Sequence, residues 1–194
     1  MSIAEMRAEK KASRKRKYLT PDMAKGLVKS CKVSEDGNEV KFVLGCSPYM
    51  MPTAQLKKIA VIGGHPRIYK QPKVQKAEKT ITLAMQPYAH YFAGWEGHPY
   101  GVYMDFCYEY PKGTPKKDLI DYQYSVSKND LDNSEKGLSD ALTAAGFWHD
   151  DSEIAELHLR KFRVITEPKI ILTIRKLPKV LQDNDLLGGN GILV

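Results

Sequence analysis

The chain has 194 residues, 42% of them hydrophobic and 27% charged, proportions of a folded, water-exposed domain of ordinary size with tails. No apolar run approaches the roughly 18 residues of a membrane helix, and the basic N-terminus lacks the apolar stretch of a secretory signal, so a cytoplasmic protein without membrane contact is expected. Three cysteines, Cys31, Cys46 and Cys107, form no C-x-x-C. That excludes a disulfide framework and a zinc ribbon.

The net charge of +7 is unevenly placed. Residues 1–34 hold ten Lys or Arg against three Asp or Glu, and the rest of the chain holds twenty of each. Lys10, Lys11, Arg14, Lys15, Arg16 and Lys17 crowd the start. Such an arm attracts polyanions without choosing among them, and nucleic acid is the commonest. Residues 1–34 therefore read as a basic arm. Within it, Thr20-Pro21 is a helix-start signal, and Met23, Leu27 and Cys31, with Ala24 and Val28, predict one short amphipathic helix.

Further along, Val40–Leu44 predicts a first strand and Ile59–Ile62 another, stopped by a turn at Gly63-Gly64. No Gly-Lys-Ser/Thr follows that pair, so it is not a phosphate-binding loop. Val74 to about Tyr88 predicts a helix through Ala77, Ile81, Ala84 and Met85, and Gly94, Gly97 and Pro99 mark a loop. From Tyr100 the period becomes two, with Val102, Met104, Phe106, Tyr108 and Tyr110 on one side, the pattern of a half-buried strand. Leu138, Ala141, Leu142 and Ala145 recur at helical spacing, with Gly146 where a C-terminal cap belongs. Ile154–Val164 and Ile170–Leu177 predict two more strands. The sum is an α+β domain over residues 35–178, a mixed β-sheet with helices packed on it. Residues 179–194 have little to bury and read as a tail.

The chemistry concentrates in Asn129-Asp130-Leu131-Asp132-Asn133-Ser134-Glu135-Lys136. In an extended chain, residues two apart point the same way. Asp130 and Asp132 would then aim both carboxylates at one point, as a hard divalent cation requires. Asp132 also suits an N-cap, with Glu135 completing a capping box. Lys136 would project near the same helix edge. Beyond the helix, Phe147-Trp148 folds on its apolar face and Asp150-Asp151 sits at a turn, where one acid of the two is expected to return to the first pair. Lys161 shares strand parity with Leu157 and Leu159 and interrupts an apolar face. His149 reads best as an exposed turn residue, and Tyr88, Tyr91, Phe92, Trp95 and Tyr100 as packing aromatics.

Asp-Leu-Asp-Asn-x-x-Lys followed by Asp-Ala-Leu-Thr-x-Ala-Gly-Phe-Trp-x-Asp-Asp closely resembles the signature of the RusA family of Holliday junction resolvases. It spans Asp130 to Asp151, with Lys161 at the family's usual offset, and softer similarity in element order covers about residues 38–177. The resemblance implies a RusA-like fold with a basic N-terminal extension, bacterial or phage origin, and a homodimer acting on four-way junctions. It implies that Asp130, Asp132 and Asp151 hold Mg²⁺, with Mn²⁺ a substitute, and that Lys136 is catalytic. Asp140 and Lys161 match recurring positions without an assigned role. Ser134 stands where the family often has an apolar residue, and Lys128-Asn129 where it often has Arg or Pro. Neither departure removes a metal ligand.

The expected chemistry is hydrolysis of a phosphodiester by metal-activated water, with Lys136 offsetting charge on the phosphate. Lys128, Lys161 and the arm would contact DNA. Two other readings are a structure-selective nuclease for flaps or forks, and a non-catalytic junction-binding protein in which the acids are structural.

Overall fold

The computed structural model describes residues 18–51, 57–126 and 130–180. Its centre is a six-stranded mixed sheet in the order β1-β2-β8-β5-β7-β6. The strands are β1 (Val28–Val33), β2 (Glu39–Leu44), β5 (Tyr100–Glu109), β6 (Gln123–Tyr124), β7 (Ile154–Val164) and β8 (Lys169–Lys176). Strands β3 (Lys57–Ile62) and β4 (His65–Lys70) form a separate hairpin. Two helices, α1 (Pro72–Met85) and α2 (Leu131–Ala145), pack against each other. The α+β expectation holds.

Alternation decides which face of the sheet is covered. Val40, Phe42 and Leu44 of β2, Val102, Met104, Phe106 and Tyr108 of β5, and Ile170, Leu172 and Ile174 of β8 are buried together. They join Ala77, Ile81 and Met85 of α1 and Leu138, Ala141, Leu142 and Ala145 of α2 in one core. Helical spacing supplies one layer and period-two spacing the other, so the two patterns meet as a two-layer sandwich. Strand β5 is not half-buried as its alternation suggests. Cys107, on the opposite face, is also fully buried, beneath Phe162, Val164 and Ile171.

The expected helix across Met23–Cys31 does not form. Thr20-Pro21 starts only a 3-10 turn over Pro21–Met23, and Gly26 then takes φ +74°. That left-handed step turns the chain into β1, which pairs antiparallel with β2 from Val28↔Leu44 to Val33↔Val40. The helical spacing of Met23, Leu27 and Cys31 was coincidental; β-branched Val28 and Val33 suit the pleated edge better. Leu19 and Leu27 are buried in the main core, so this part of the expected arm is seated on the domain.

The turn expected at Gly63-Gly64 is present, with φ +60° and +81°. Positive φ at both central residues defines a tight hairpin turn that glycine supplies without strain. It creates β4, which no sequence pattern had marked. Helix α1 matches expectation, continuing after Met85 as a 3-10 segment, Gln86–Phe92.

Strands β5 and β7 are parallel neighbours, from Tyr100↔Ile154 to Glu109↔Val164. A parallel pair needs a crossover, and α2 is that crossover. The helix therefore runs antiparallel to both strands. Its start lies where β5 and β7 end, and its finish lies where they begin.

Candidate active site

The first turn of α2 carries most of the expected site, with a different local geometry. Asp130, not Asp132, is the N-cap, at φ −71° and ψ 138°. Asp132 is already helical, so the two acids are not an extended pair, and the proposed capping box with Glu135 does not exist. Glu135 instead accepts from the Ser139 hydroxyl one turn on. The reason is that the Asp130 carbonyl accepts from Ser134 N–H (3.3 Å) and Ser134 Oγ (3.1 Å), which starts the helix two residues early.

Asn133 holds the first acid in place. It is buried, and its Nδ2 donates to Asp130 Oδ2 at 3.3 Å. Asp130 itself is exposed, as are Asp132 and Lys136. Asp132 and Lys136 are one turn apart and so share a face. Ser134 is also buried, which explains why a small polar residue is accepted where an apolar one is commoner: its hydroxyl is satisfied by the Asp130 carbonyl. Asn133 was legible only as part of the motif. Its positioning role shows once the N-cap is known, because it stands three residues after it.

Lys161 belongs to the same end of the molecule. Its carbonyl accepts from Ser125 N–H at 2.9 Å, five residues before Asp130, and its side chain is half-buried on the helix-covered face of β7. Asp140 lies midway along α2 and is engaged elsewhere. Lys70 Nζ donates to Asp140 Oδ2 at 2.8 Å and to Glu78 Oε1 at 2.9 Å, tying β4 to both helices. Burial pulls the Lys70 ammonium down, but those bonds from Asp140 and Glu78 outweigh it and hold it above its ordinary value. Lys136 stands at i,i+4 to Asp140, but it is Lys70 that bonds the Asp140 carboxylate.

Asp151 lies at the other end of α2. The helix closes at Gly146, in the left-handed region at φ +87°, with Gly146 N–H donating to Thr143 and Phe147 N–H to Leu142. Phe147 and Trp148 then plunge into the core, and Trp148 Nε1 donates to Thr143 Oγ1 at 2.7 Å. Asp150 caps a 3-10 turn over Asp151–Glu153, its Oδ1 accepting from Ser152 N–H at 2.9 Å. The Ser152 side chain, and after it that backbone N–H, hold the Asp150 carboxyl below its ordinary value, so Asp150 is the turn residue of the pair. Asp151 is exposed. A helix of 15 residues is about 22 Å long, so Asp151 stands on the order of 20 Å from Asp130 and Asp132 within one chain.

The consequence for a metal is direct. Ligand distances of about 2.0–2.6 Å require carboxylates in mutual contact. Among the described residues no three His, Cys, Asp or Glu side chains gather in a group able to hold an ion. One chain alone does not fit the three-acid metal site that its motif implies.

The end of α2 near Asp151 borders a cleft of about 900 Å³, lined by Phe92, Tyr100, Phe147, Trp148, His149 and Glu153 among others. His149 is exposed at its rim, 3.9 Å from Glu153. Phe92, Trp95 and Tyr100 are buried core residues and Tyr88 packs partly buried against the core, as packing aromatics should, whereas Tyr91 is exposed. Lys10, Lys11, Arg14, Lys15, Arg16, Lys17 and Lys128 lie outside the described residues, as does the expected tail from 181 on.

This motif and fold define a family. Residues 49–175 match the family described as endodeoxyribonuclease RusA, well over half of the chain, and the protein belongs to that family. Among individual relatives, the crossover junction endodeoxyribonuclease RusA of Escherichia coli strain K12 is 40% identical over 50 residues, covering 26% of this chain and 42% of the relative. The one from strain E24377A is 44% identical over a stretch of the same length, and that of Enterobacteria phage 82 is 40% identical. The aligned stretch thus spans less than half of these relatives' own length. Among the described residues no helix is long and apolar enough to cross a membrane.

Proposed function

We propose that this protein is a Mg²⁺-dependent endodeoxyribonuclease that resolves four-way DNA junctions by paired phosphodiester cuts, as a homodimer serving recombination and repair. The observation that carries the reading is the family match over a segment holding Asp130, Asp132, Lys136 and Asp151 together. Mn²⁺ is the natural substitute for the hard, oxygen-seeking Mg²⁺. The names of the relatives point to crossover junctions as substrate.

The chain's own residues have separable parts in this reading. Asn133 fixes Asp130 through its amide, so that carboxylate is preset rather than mobile. Lys136, one turn beyond Asp132, presents a cation to a phosphate held at the same edge, where it offsets charge developing on the phosphoryl oxygens. Free N–H groups at the start of α2 add to that field. Lys161 adds a cation on β7, and Lys128 and the arm from Lys10 to Lys17 add phosphate contacts without sequence choice.

A synthetic four-way junction incubated with Mg²⁺, and in parallel with EDTA, tests the proposal. Cleavage at two symmetric positions in Mg²⁺ alone is expected. Asp132→Asn should bind the junction but not cut it, and Lys136→Ala should cut about 10²–10³-fold more slowly. Undiminished cleavage by Asp132→Asn removes the acids from the site. Tight binding with no cleavage by the natural sequence makes the protein a junction binder. Flaps and forks run beside the junction decide whether a wider branched-DNA specificity replaces the proposed one.

A further inference from the structure

The β3–β4 hairpin stands off the main sheet. A Cβ built on Gly63 or Gly64 at its tip would meet nothing within 4 Å. Strands of six residues give it a length of about 20 Å from foot to tip. Ile59 and Val61 are each 71% exposed, and His65, Pro66 and Arg67 are exposed with them.

The two faces of this ribbon differ in kind. Residues two apart on a strand share a face, and so do residues paired across it. Val61 pairs with Pro66 and Ile59 with Ile68, which places four apolar residues on one face. Ala60 pairs with Arg67 and Lys58 with Tyr69 on the other. From Lys57 to Lys70 the chain holds three lysines, an arginine and no acid. Such charge selects a polyanion, while exposed Ile59 and Val61 call for apolar surface to cover them. Nucleic acid with unstacked bases offers both.

The foot of the hairpin fixes its place. Lys70 ends β4 and bonds Asp140 of α2 at 2.8 Å and Glu78 of α1 at 2.9 Å. Asp140 stands about two turns beyond Asp132 on α2, roughly 12 Å, and the exposed Lys136 lies between them. The first turn of α2 is therefore nearer to the hairpin's foot than the hairpin is long. In a continuous duplex the bases hide their faces against one another, and at a branch point that stack is interrupted. Apolar side chains inserted between base steps hold such steps apart.

We propose that the β3–β4 hairpin is a wedge for the branch point: its basic ribbon lies against the phosphates, and Ile59 and Val61 enter the gap between the base pairs that flank the crossover. The wedge rests on the nuclease reading above, to which it adds the element that holds the branch open while a strand is cut.

A four-way junction carrying 2-aminopurine beside the branch reports unstacking as a rise in fluorescence. With Ca²⁺ in place of Mg²⁺, so that binding is read without cutting, the natural protein should raise the signal at the branch. The same base inside an unbroken duplex should not respond. Ile59→Thr/Val61→Thr keeps the β-branched shape and removes apolar surface. It should abolish the rise and weaken junction binding about 10-fold, with duplex affinity and Tm unchanged, whereas Ile59→Val/Val61→Ile should behave as the natural protein does. A full rise from the Thr variant, or a natural protein that binds and cuts the junction with no rise, overturns the wedge and spares the nuclease reading. A Thr variant that instead loses self-association, or binding to phosphatidylglycerol vesicles, with its fluorescence response intact makes the ribbon a protein or membrane contact and also overturns the wedge. If the natural protein neither binds nor cuts the junction, the nuclease reading falls and the wedge falls with it.

Discussion

Phe147→Ala probes the packing that carries the chain from α2 to Asp151. Phe147 is 1% exposed, with its ring centroid 4.5 Å from Phe92, 5.8 Å from Phe42 and 6.2 Å from Trp148. Its partners come from β2, from the segment after α1, and from its own connection, so they cannot collapse together to fill the gap. Truncating a buried Phe to Ala costs about 3–5 kcal/mol, and the upper half of that range applies where the site stays open. For a chain of this size each kcal/mol lowers Tm by about 2–4 °C, which predicts a fall of roughly 8–20 °C. With a urea slope near 2 kcal/mol/M, the midpoint should drop by about 2 M at unchanged slope. Calorimetry and urea titration followed by circular dichroism measure both. A Tm loss under about 3 °C would mean that Phe147 is not seated between sheet and helices, and the path from α2 to Asp151 would have to be redrawn.

Other outcomes follow from single contacts. Gly146→Ala places a Cβ at φ +87° and should cost about 1 kcal/mol, read as a lower urea midpoint with no change in helix content at low denaturant. Lys70→Met removes the bridge between Glu78 and Asp140; since all three side chains are partly exposed, the loss should be about 0.2–1 kcal/mol each for the two pairs. Because the folded-state pKa of Lys70 is raised above its ordinary 10.5, its contribution is complete below that pH and lost as the pH climbs through the folded value. The gap in stability between natural and Lys70→Met proteins should therefore close in strong alkali and stay constant from pH 7 to 9. Deleting residues 1–17 should weaken binding to any duplex and flatten the dependence of log affinity on log salt, checked by titration at several salt concentrations. An unchanged slope would remove the arm from the DNA interface.

Helix α2 shows how far the residues alone can be read. Leu138, Ala141, Leu142 and Ala145 announce the helix, Gly146 its end, and the acids and Lys136 the family. Local geometry was less legible. Asp130 and Asp132 fit an extended pair equally well until Ser134 is seen bonding the Asp130 carbonyl. Strand β1 was missed because Met23, Leu27 and Cys31 happen to match a helical period, and only pairing with β2 decides between the two. The bond of Lys70 to Asp140 joins residues distant in the chain, and no local pattern announces it.

By itself the sequence determined which residues are chemically equipped: an acidic motif, a lysine one turn away, a basic arm, and the periodicities that build a sheet and two helices. Only the tertiary structure decided where those groups stand. A crossover helix between parallel strands is a rigid rod, so residues at its two ends are held a helix length apart however close they stand in a motif. It also decided which strands neighbour β7, a property of pairing between strands that no single strand carries in its own residues.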